Sequence, residues 1–158
     1  MRHTISVTVE NKFGVLSRVA GLFSGRGFNI ESLCVGETVD PEVSRMTIVT
    51  RGDDRIIEQV TKQLRKLVDV IKVADLTDTS FVDREMLLAK ISATEKNKAE
   101  ILRINEIFRG KIVDISPNTY TFEITGDEGK IDAFLKLIRP FGVKEIVRSG
   151  KIAISREM

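Results

Sequence analysis

The feature that most constrains the fold is an order of hydrophobic periodicities that runs twice along the 158 residues. Apolar and polar residues alternate over residues 3–10, which predicts a half-buried strand, and apolar residues at helical spacing follow after residue 14. Two further strands, a second helix and a fourth strand complete the order βαββαβ before residue 80. This order favours an antiparallel sheet with helices on one face.

The second half runs through the same order in roughly 75 residues, which predicts two ferredoxin-like βαββαβ domains and an α+β fold. A short polar linker near residues 78–83 separates the halves, so we expect domains at residues 1–79 and 80–158. The strands and helices predicted for the second half are residues 84–93, 98–108, 111–116, 120–125, 129–138 and 143–155. The last of these strands is expected to be interrupted at Gly150.

Composition argues against several classes of protein. The 25 Lys and Arg residues nearly balance the 23 Asp and Glu residues and are interleaved with them, which disfavours a nucleic-acid-binding surface. No apolar run approaches the roughly 20 residues that span a bilayer, and no signal peptide is evident, so we expect a cytoplasmic protein without a membrane partner. The single cysteine, Cys34, excludes an internal disulfide and a cysteine-based metal site, and we expect no metal.

The first strand-to-helix turn is the candidate site. The N–H groups at the start of a helix carry partial positive charge and can hold a small carboxylate without a basic side chain. Gly14 lacks a Cβ, so a ligand can approach the backbone closely. Asn11 offers an amide oxygen to an ammonium group and an amide N–H to a carboxylate, and an α-amino acid has both charges. Val15 and Leu16 could contact its side chain.

Other functions fit the residues less well. An enzyme with a serine or cysteine nucleophile needs a group that activates it, but Ser17 has no general base nearby in sequence, and Cys34 is better explained as a buried packing thiol. The carboxylate pairs at residues 53–54 and 127–128 are explained by helix capping. The glycines of residues 21–27 end a helix and lack the Gly-Lys-Ser/Thr end of a phosphate loop. RNA-recognition domains share the element order, but the corresponding strands here carry no aromatic residues for base stacking.

Long stretches of the sequence resemble the small, regulatory subunit of acetohydroxyacid synthase, which is also called acetolactate synthase. NKFGVLSRVAGLFSGRGFNIESL, at residues 11–33, is similar to the amino-terminal ACT domain of that family. The resemblance covers essentially the whole chain, and several of its motifs are specific to this family rather than to ACT domains in general. The other stretches that carry it are residues 44–54, 63–73, 84–91, 106–117 and 132–156.

The resemblance implies two ferredoxin-like domains, the first an ACT domain, and a chain that is itself no enzyme and holds no cofactor. Such subunits activate a separate catalytic large subunit and confer feedback inhibition by valine, sometimes by leucine or isoleucine. The catalytic subunit is expected to use thiamine diphosphate, Mg²⁺ and FAD to condense pyruvate with pyruvate or 2-oxobutyrate in branched-chain amino acid biosynthesis. The alternative is a free-standing ACT-type amino-acid sensor that acts on another partner.

The resemblance also assigns the effector site. The residues that match the family's valine-binding turn are Asn11, Gly14, Val15 and Leu16, with Phe13 and Ser17 beside them. Asn29 and Ile30 match the part that a second subunit supplies across a homodimer. Phe13 departs from the proline or small polar residue often found before this glycine, which leaves the carboxylate cradle intact. ACT domains commonly pair edge to edge about a two-fold axis, so one dimer is expected to hold two equivalent sites.

Overall fold

The computed structural model of the chain describes residues 1–157. The elements of the first half are β1 (Arg2–Glu10), α1 (Val15–Gly25), β2 (Ile30–Glu37), β3 (Val43–Arg51), α2 (Asp54–Lys66) and β4 (Val70–Asp75). Those of the second half are β5 (Phe81–Ser92), α3 (Lys98–Ile107), β6 (Lys111–Ile115), β7 (Thr119–Gly126), α4 (Glu128–Ile138), β8 (Val143–Arg148) and β9 (Ile152–Ser155). The predicted α+β fold with two βαββαβ units is confirmed. No helix within residues 1–157 is both long and apolar enough to cross a bilayer.

The first sheet has the strand order β2-β3-β1-β4, and each neighbouring pair is antiparallel. The central strand β1 places Val7 opposite Met46 of β3 and Val73 of β4, and these side chains share a core with residues of α1 and α2. Because side chains alternate along a strand, Thr4 and Ser6 face away from this core. The sequence predicts a half-buried strand, yet Thr4 and Ser6 are buried too, so both faces of β1 are covered.

The polar face of the first sheet is covered by residues 151–157. Their strand, β9, contacts β1 and β3. The backbone N–H of Ala153 donates to Oγ1 of Thr47 at 3.3 Å. Arg45 donates from Nη2 to the carbonyl of Ala153 at 3.4 Å and from Nε to Oγ of Ser6 at 3.0 Å. The covering strand therefore brings a donor to Thr47 and an acceptor to Arg45 on the face that it covers.

The chain divides into two compact units, residues 1–82 together with 151–157, and residues 83–150. The sequence-based division into residues 1–79 and 80–158 differs from these units mainly at residues 151–157, which belong to the first unit. The physical reason is β9, whose hydrogen bonds and burial tie it to the first sheet. A segment that follows the second unit in the chain thus completes the first unit.

The second sheet has the order β6-β7-β5-β8. Gly150, with φ of 85°, lies between β8 and β9, which confirms the predicted interruption of the last strand. Ala89 of β5 pairs with Phe122 of β7, and both are fully buried against α3 and α4. In the same unit, the rings of Phe108 and Phe134 meet edge to face with centroids 5.5 Å apart.

Aspartate side chains begin α2 and α4. The carboxylate of Asp53 accepts from the Arg55 N–H at 2.8 Å, and that of Asp127 accepts from the Lys130 N–H at 2.9 Å. Each bond satisfies a backbone donor that has no partner inside its helix. The capping explanation for these carboxylates is therefore confirmed.

Candidate functional site

The candidate turn is built around Gly14, whose backbone torsions are φ 81° and ψ −7°. This left-handed region is costly for a residue with a Cβ but open to glycine. The helix α1 begins at the next residue, and no side chain within residues 1–157 caps it. The Val15 N–H reaches the carbonyl of Lys12 only at 3.4 Å, and the first turn holds no acidic residue. The start of α1 therefore presents backbone donors that suit a small anion.

Asn11 is held in place by the connection between β2 and β3. Its backbone N–H donates to the carbonyl of Glu42 at 2.7 Å. Its Nδ2 donates to the carbonyl of Pro41 at 2.9 Å and to Oε1 of Glu37 at 3.2 Å. Both neighbours of Nδ2 are acceptors, which defines the orientation of the amide and leaves Oδ1 for a donor from outside.

The other residues predicted at the turn differ in accessibility. Val15 is only 3% exposed and belongs to the core of the first unit, so it can offer a ligand its backbone N–H but little of its side chain. Leu16 is 43% exposed and Phe13 is fully exposed. Ser17 is exposed on the same turn of α1. The apolar surface beside the turn is thus formed by Leu16 and Phe13.

Asn29 and Ile30 lie at the opposite end of the first sheet. Ile30 pairs with Thr50, and Thr50 pairs with His3 near the start of β1. Asn11 follows the other end of β1, so a length of strand of roughly 24 Å separates the two places, at about 3.4 Å per residue. A single chain does not bring the two predicted parts of the site together. This separation fits the expectation that two copies of the chain share the site.

Two ion pairs flank the turn, and we did not predict them from the sequence. Nη2 of Arg18 binds Oδ2 of Asp69, and Nζ of Lys12 lies 2.8 Å from Oε2 of Glu10. The hydrogen bond to Glu10 and its negative charge raise the pKa of Lys12 above its ordinary value. Arg18 follows Gly14 by four residues, and residues at this spacing are neighbours on a helix surface. That spacing is the signal from which Arg18 could have been identified.

Cys34 and His3 lie apart from the turn. Cys34 is half-buried on the edge strand β2, so the prediction of a buried thiol is wrong, because an edge strand has one open side. His3 is buried, with Nε2 3.1 Å from Oδ1 of Asp54 and Nδ1 3.2 Å from Oδ2 of Asp75. These contacts connect β1 to the start of α2 and to the end of β4.

The first unit thus combines a βαββαβ sheet with an open glycine turn before its first helix, which defines an ACT domain as its class. Residues 5–72 match the family described as the AHAS small subunit-like ACT domain, where AHAS is acetohydroxyacid synthase. Residues 84–157 match the family described as the small subunit of acetolactate synthase. The chain belongs to the acetolactate synthase small-subunit family.

Individual relatives agree with this assignment. The chain is 56% identical to an acetolactate synthase small subunit of Aquifex aeolicus, over 99% of this chain and 82% of the relative. It is 51% identical to the acetolactate synthase isozyme 3 small subunit of Escherichia coli, over 99% of this chain and 96% of the relative. A crystal structure of the acetolactate synthase small subunit from Thermotoga maritima is 44% identical, with a TM-score of 0.88 over 100% of this chain and 99% of that one.

Proposed function

We propose that this chain activates the catalytic subunit of an acetolactate synthase and inhibits the complex when valine binds at the first strand-to-helix turn. The observation that carries the proposal is the left-handed Gly14, which leaves the start of α1 open to a small anion. Membership of the small-subunit family supports a separate catalytic large subunit as the partner. In this proposal the partner holds thiamine diphosphate, Mg²⁺ and FAD, and the present chain forms no acetolactate by itself.

Valine fits the turn through its two charges. Its carboxylate accepts hydrogen bonds from the N–H groups at the start of α1, where the helix dipole contributes about 0.3–1 kcal/mol. Its ammonium group donates to Oδ1 of Asn11, because Pro41 and Glu37 already accept from the amide nitrogen. Leu16 and Phe13 offer apolar surface to the isopropyl group.

The second part of the site comes from a partner subunit. β2 is an edge strand of the first sheet, and an edge strand offers unpaired backbone groups to another strand. Antiparallel pairing of two β2 strands about a two-fold axis puts the start of one beside the end of the other. Glu37 ends β2 and contacts Asn11, so this pairing brings the partner's Asn29 and the partner's Ile30 to the turn.

Inhibition then requires only a difference in affinity between two states of the complex. Valine bound between two chains favours the subunit arrangement that holds it best, and the complex slows when that arrangement is the less active one. A coupling free energy of about 1–3 kcal/mol is typical, which corresponds to roughly 5-fold to 150-fold in affinity.

Reconstitution with the cognate catalytic subunit tests this proposal. We expect the isolated chain to leave pyruvate unchanged with thiamine diphosphate and Mg²⁺ present, and we expect the complex to be faster than the catalytic subunit alone. Valine should slow the complex. Gly14→Asp should raise the valine concentration needed by about tenfold or more, because it strains a φ of 81° and puts a like charge beside the ligand carboxylate.

Gly142→Asp is the matched control for this substitution. Gly142 has a φ of 88°, and its added Cβ would lie 3.5 Å from Cβ of Ser92 in the second unit. The control therefore carries similar strain and the same charge away from the turn, and valine inhibition should survive in it. Equal valine sensitivity in Gly14→Asp and the wild type would contradict the proposal. Valine binding without any effect on the catalytic subunit would favour a free-standing sensor instead.

Mixed dimers test whether two chains share the site. Homodimers of Gly14→Asp chains and homodimers of Asn29→Ala chains should each lack an intact site. A dimer with one chain of each kind has both substitutions in one site and neither in the other, provided that the site is shared. With differently tagged chains, calorimetry on the purified mixed dimer should recover one valine site per dimer. If Gly14 and Asn29 acted within one chain, no binding would return.

A further inference from the structure

Arg18 lies against the turn at which we place the valine site. A Cβ built on Gly14 would stand 3.3 Å from Nη1 of Arg18, so the guanidinium group faces the open side of the glycine. The Arg18 N–H also donates to the carbonyl of Gly14 at 3.1 Å, within the first turn of α1. The Arg18 side chain is 50% exposed, so a small ligand can reach it.

Asp69 holds Arg18 in this position. Oδ2 of Asp69, in the link between α2 and β4, forms an ion pair with Nη2 of Arg18. The backbone of Asp69 is fixed as well, since its carbonyl accepts from the Glu10 N–H at the end of β1, at 2.8 Å. The Asp69 side chain is only 17% exposed. One arm of the guanidinium group is thus anchored, and the other arm lies at Gly14.

An ion pair that only stabilises the surface does not explain this placement. Such pairs add little to stability in water, and a lysine would form one equally well. Arginine differs because its planar fork carries five donors and can bind two carboxylates at once. In this chain Asp69 takes Nη2, and Nη1 lies where the carboxylate of an amino acid would meet the start of α1.

We propose that Arg18 binds the carboxylate of the amino-acid effector through Nη1 while Asp69 holds Nη2. The inference rests on the proposed function and adds a charged group to a cradle otherwise made of backbone N–H donors. Charge-assisted hydrogen bonds are roughly twice as strong as neutral ones, so the site requires a free carboxylate. Amino-acid amides bind poorly for this reason, and valine affinity falls as salt is added.

Calorimetry with valine and with valinamide tests the role of Arg18. The full-length wild type should prefer valine by about tenfold or more. Arg18→Gln should lower the affinity for valine by about tenfold to hundredfold and leave the affinity for valinamide nearly unchanged. The ratio of the two affinities should therefore fall close to one. If Arg18 had only a structural role, its substitution would lower the affinities for valine and valinamide by the same factor. Arg18→Lys keeps the charge without the fork, so it should retain part of the ratio, and it serves if Arg18→Gln folds poorly.

Arg26→Gln is the matched control at the other end of α1, where Nη1 of Arg26 donates to Oε1 of Gln59 at 3.3 Å. It should leave both affinities as they are in the wild type. A wild-type ratio in both Arg18 variants would overturn the inference and leave the valine site standing. A wild-type protein that binds no valine would reject the proposed function, and the inference with it.

Discussion

The two units share one order of elements but build their first strand-to-helix turn from different residues and backbone conformations. In the first unit, Gly14 adopts a φ of 81° and α1 begins without a side-chain cap. In the second unit, α3 also begins without a side-chain cap, but the residue before it is Asn97 in the right-handed region, with φ of −115°, and its amide bridges the loop that leads into the helix. Its Oδ1 accepts from the Thr94 N–H at 2.7 Å, and its Nδ2 donates to the carbonyl of Ser92 at 3.3 Å. The first turn of α3 also carries the acidic Glu100, whereas that of α1 carries no acidic residue, so the start of α1 suits an anion better.

The sheet faces turned away from the helices also differ between the units. In the first unit, Thr4 and Ser6 lie buried on this face, which β9 covers. In the second unit, Met86, Leu88 and Val147 are exposed on the corresponding face. On the polar face, β9 bonds to Thr47 and Arg45, and Arg45 in turn donates to Ser6. The apolar content of a face therefore does not by itself decide whether the face is buried.

The largest expected effect comes from removing an aromatic side chain from either core. Phe23 of α1 and Phe134 of α4 are almost completely buried, each in the core of its own unit. Phe23→Ala or Phe134→Ala should lower the free energy of unfolding of the substituted unit by about 3–5 kcal/mol. Peptide-resolved hydrogen exchange should then accelerate in that unit alone. Equal acceleration in both units would mean that they unfold together. The two units would then not differ in stability.

A smaller effect is expected from ending the chain after Gly150. This truncation removes the hydrogen bonds of Ala153 with Thr47 and Arg45 and uncovers the polar face of the first sheet. The loss of two hydrogen bonds at about 1 kcal/mol each should lower the Tm of the first unit by roughly 10 °C in a thermal melt. Hydrogen exchange should quicken chiefly in β1 and β3. Faster exchange confined to the second unit would show that β9 stabilises that unit instead.

Local patterns predicted the elements well, because the spacing of apolar residues along each strand or helix shows which face is buried. The helix expected at residues 98–108 is observed at Lys98–Ile107, and the strand expected at residues 120–125 is observed at Thr119–Gly126. The caps at Asp53 and Asp127 were also predictable, since a capping side chain bonds to a backbone group only two or three residues away.

Contacts between distant parts of the chain could not be predicted in this way. The return of β9 to the first sheet and the pairing of Arg18 with Asp69 depend on sheet topology rather than on any local periodicity. The left-handed glycine was suggested by its turn, but the assignment of Asn29 and Ile30 came from the family resemblance. The residues of the valine site stay a prediction, and the register of the first sheet supports dividing them between two chains.

The position of β9 has a consequence for the protein while it is being made. A ribosome synthesises residues 83–150 before it reaches residues 151–157, so β6, β7 and β8 are made before the strand that covers the first sheet. Until then Ser6 and Thr47 lack the strand that covers their face of the sheet. The first unit, whose strands β1 to β4 are synthesised first, therefore stays incomplete until residues 151–157 are made.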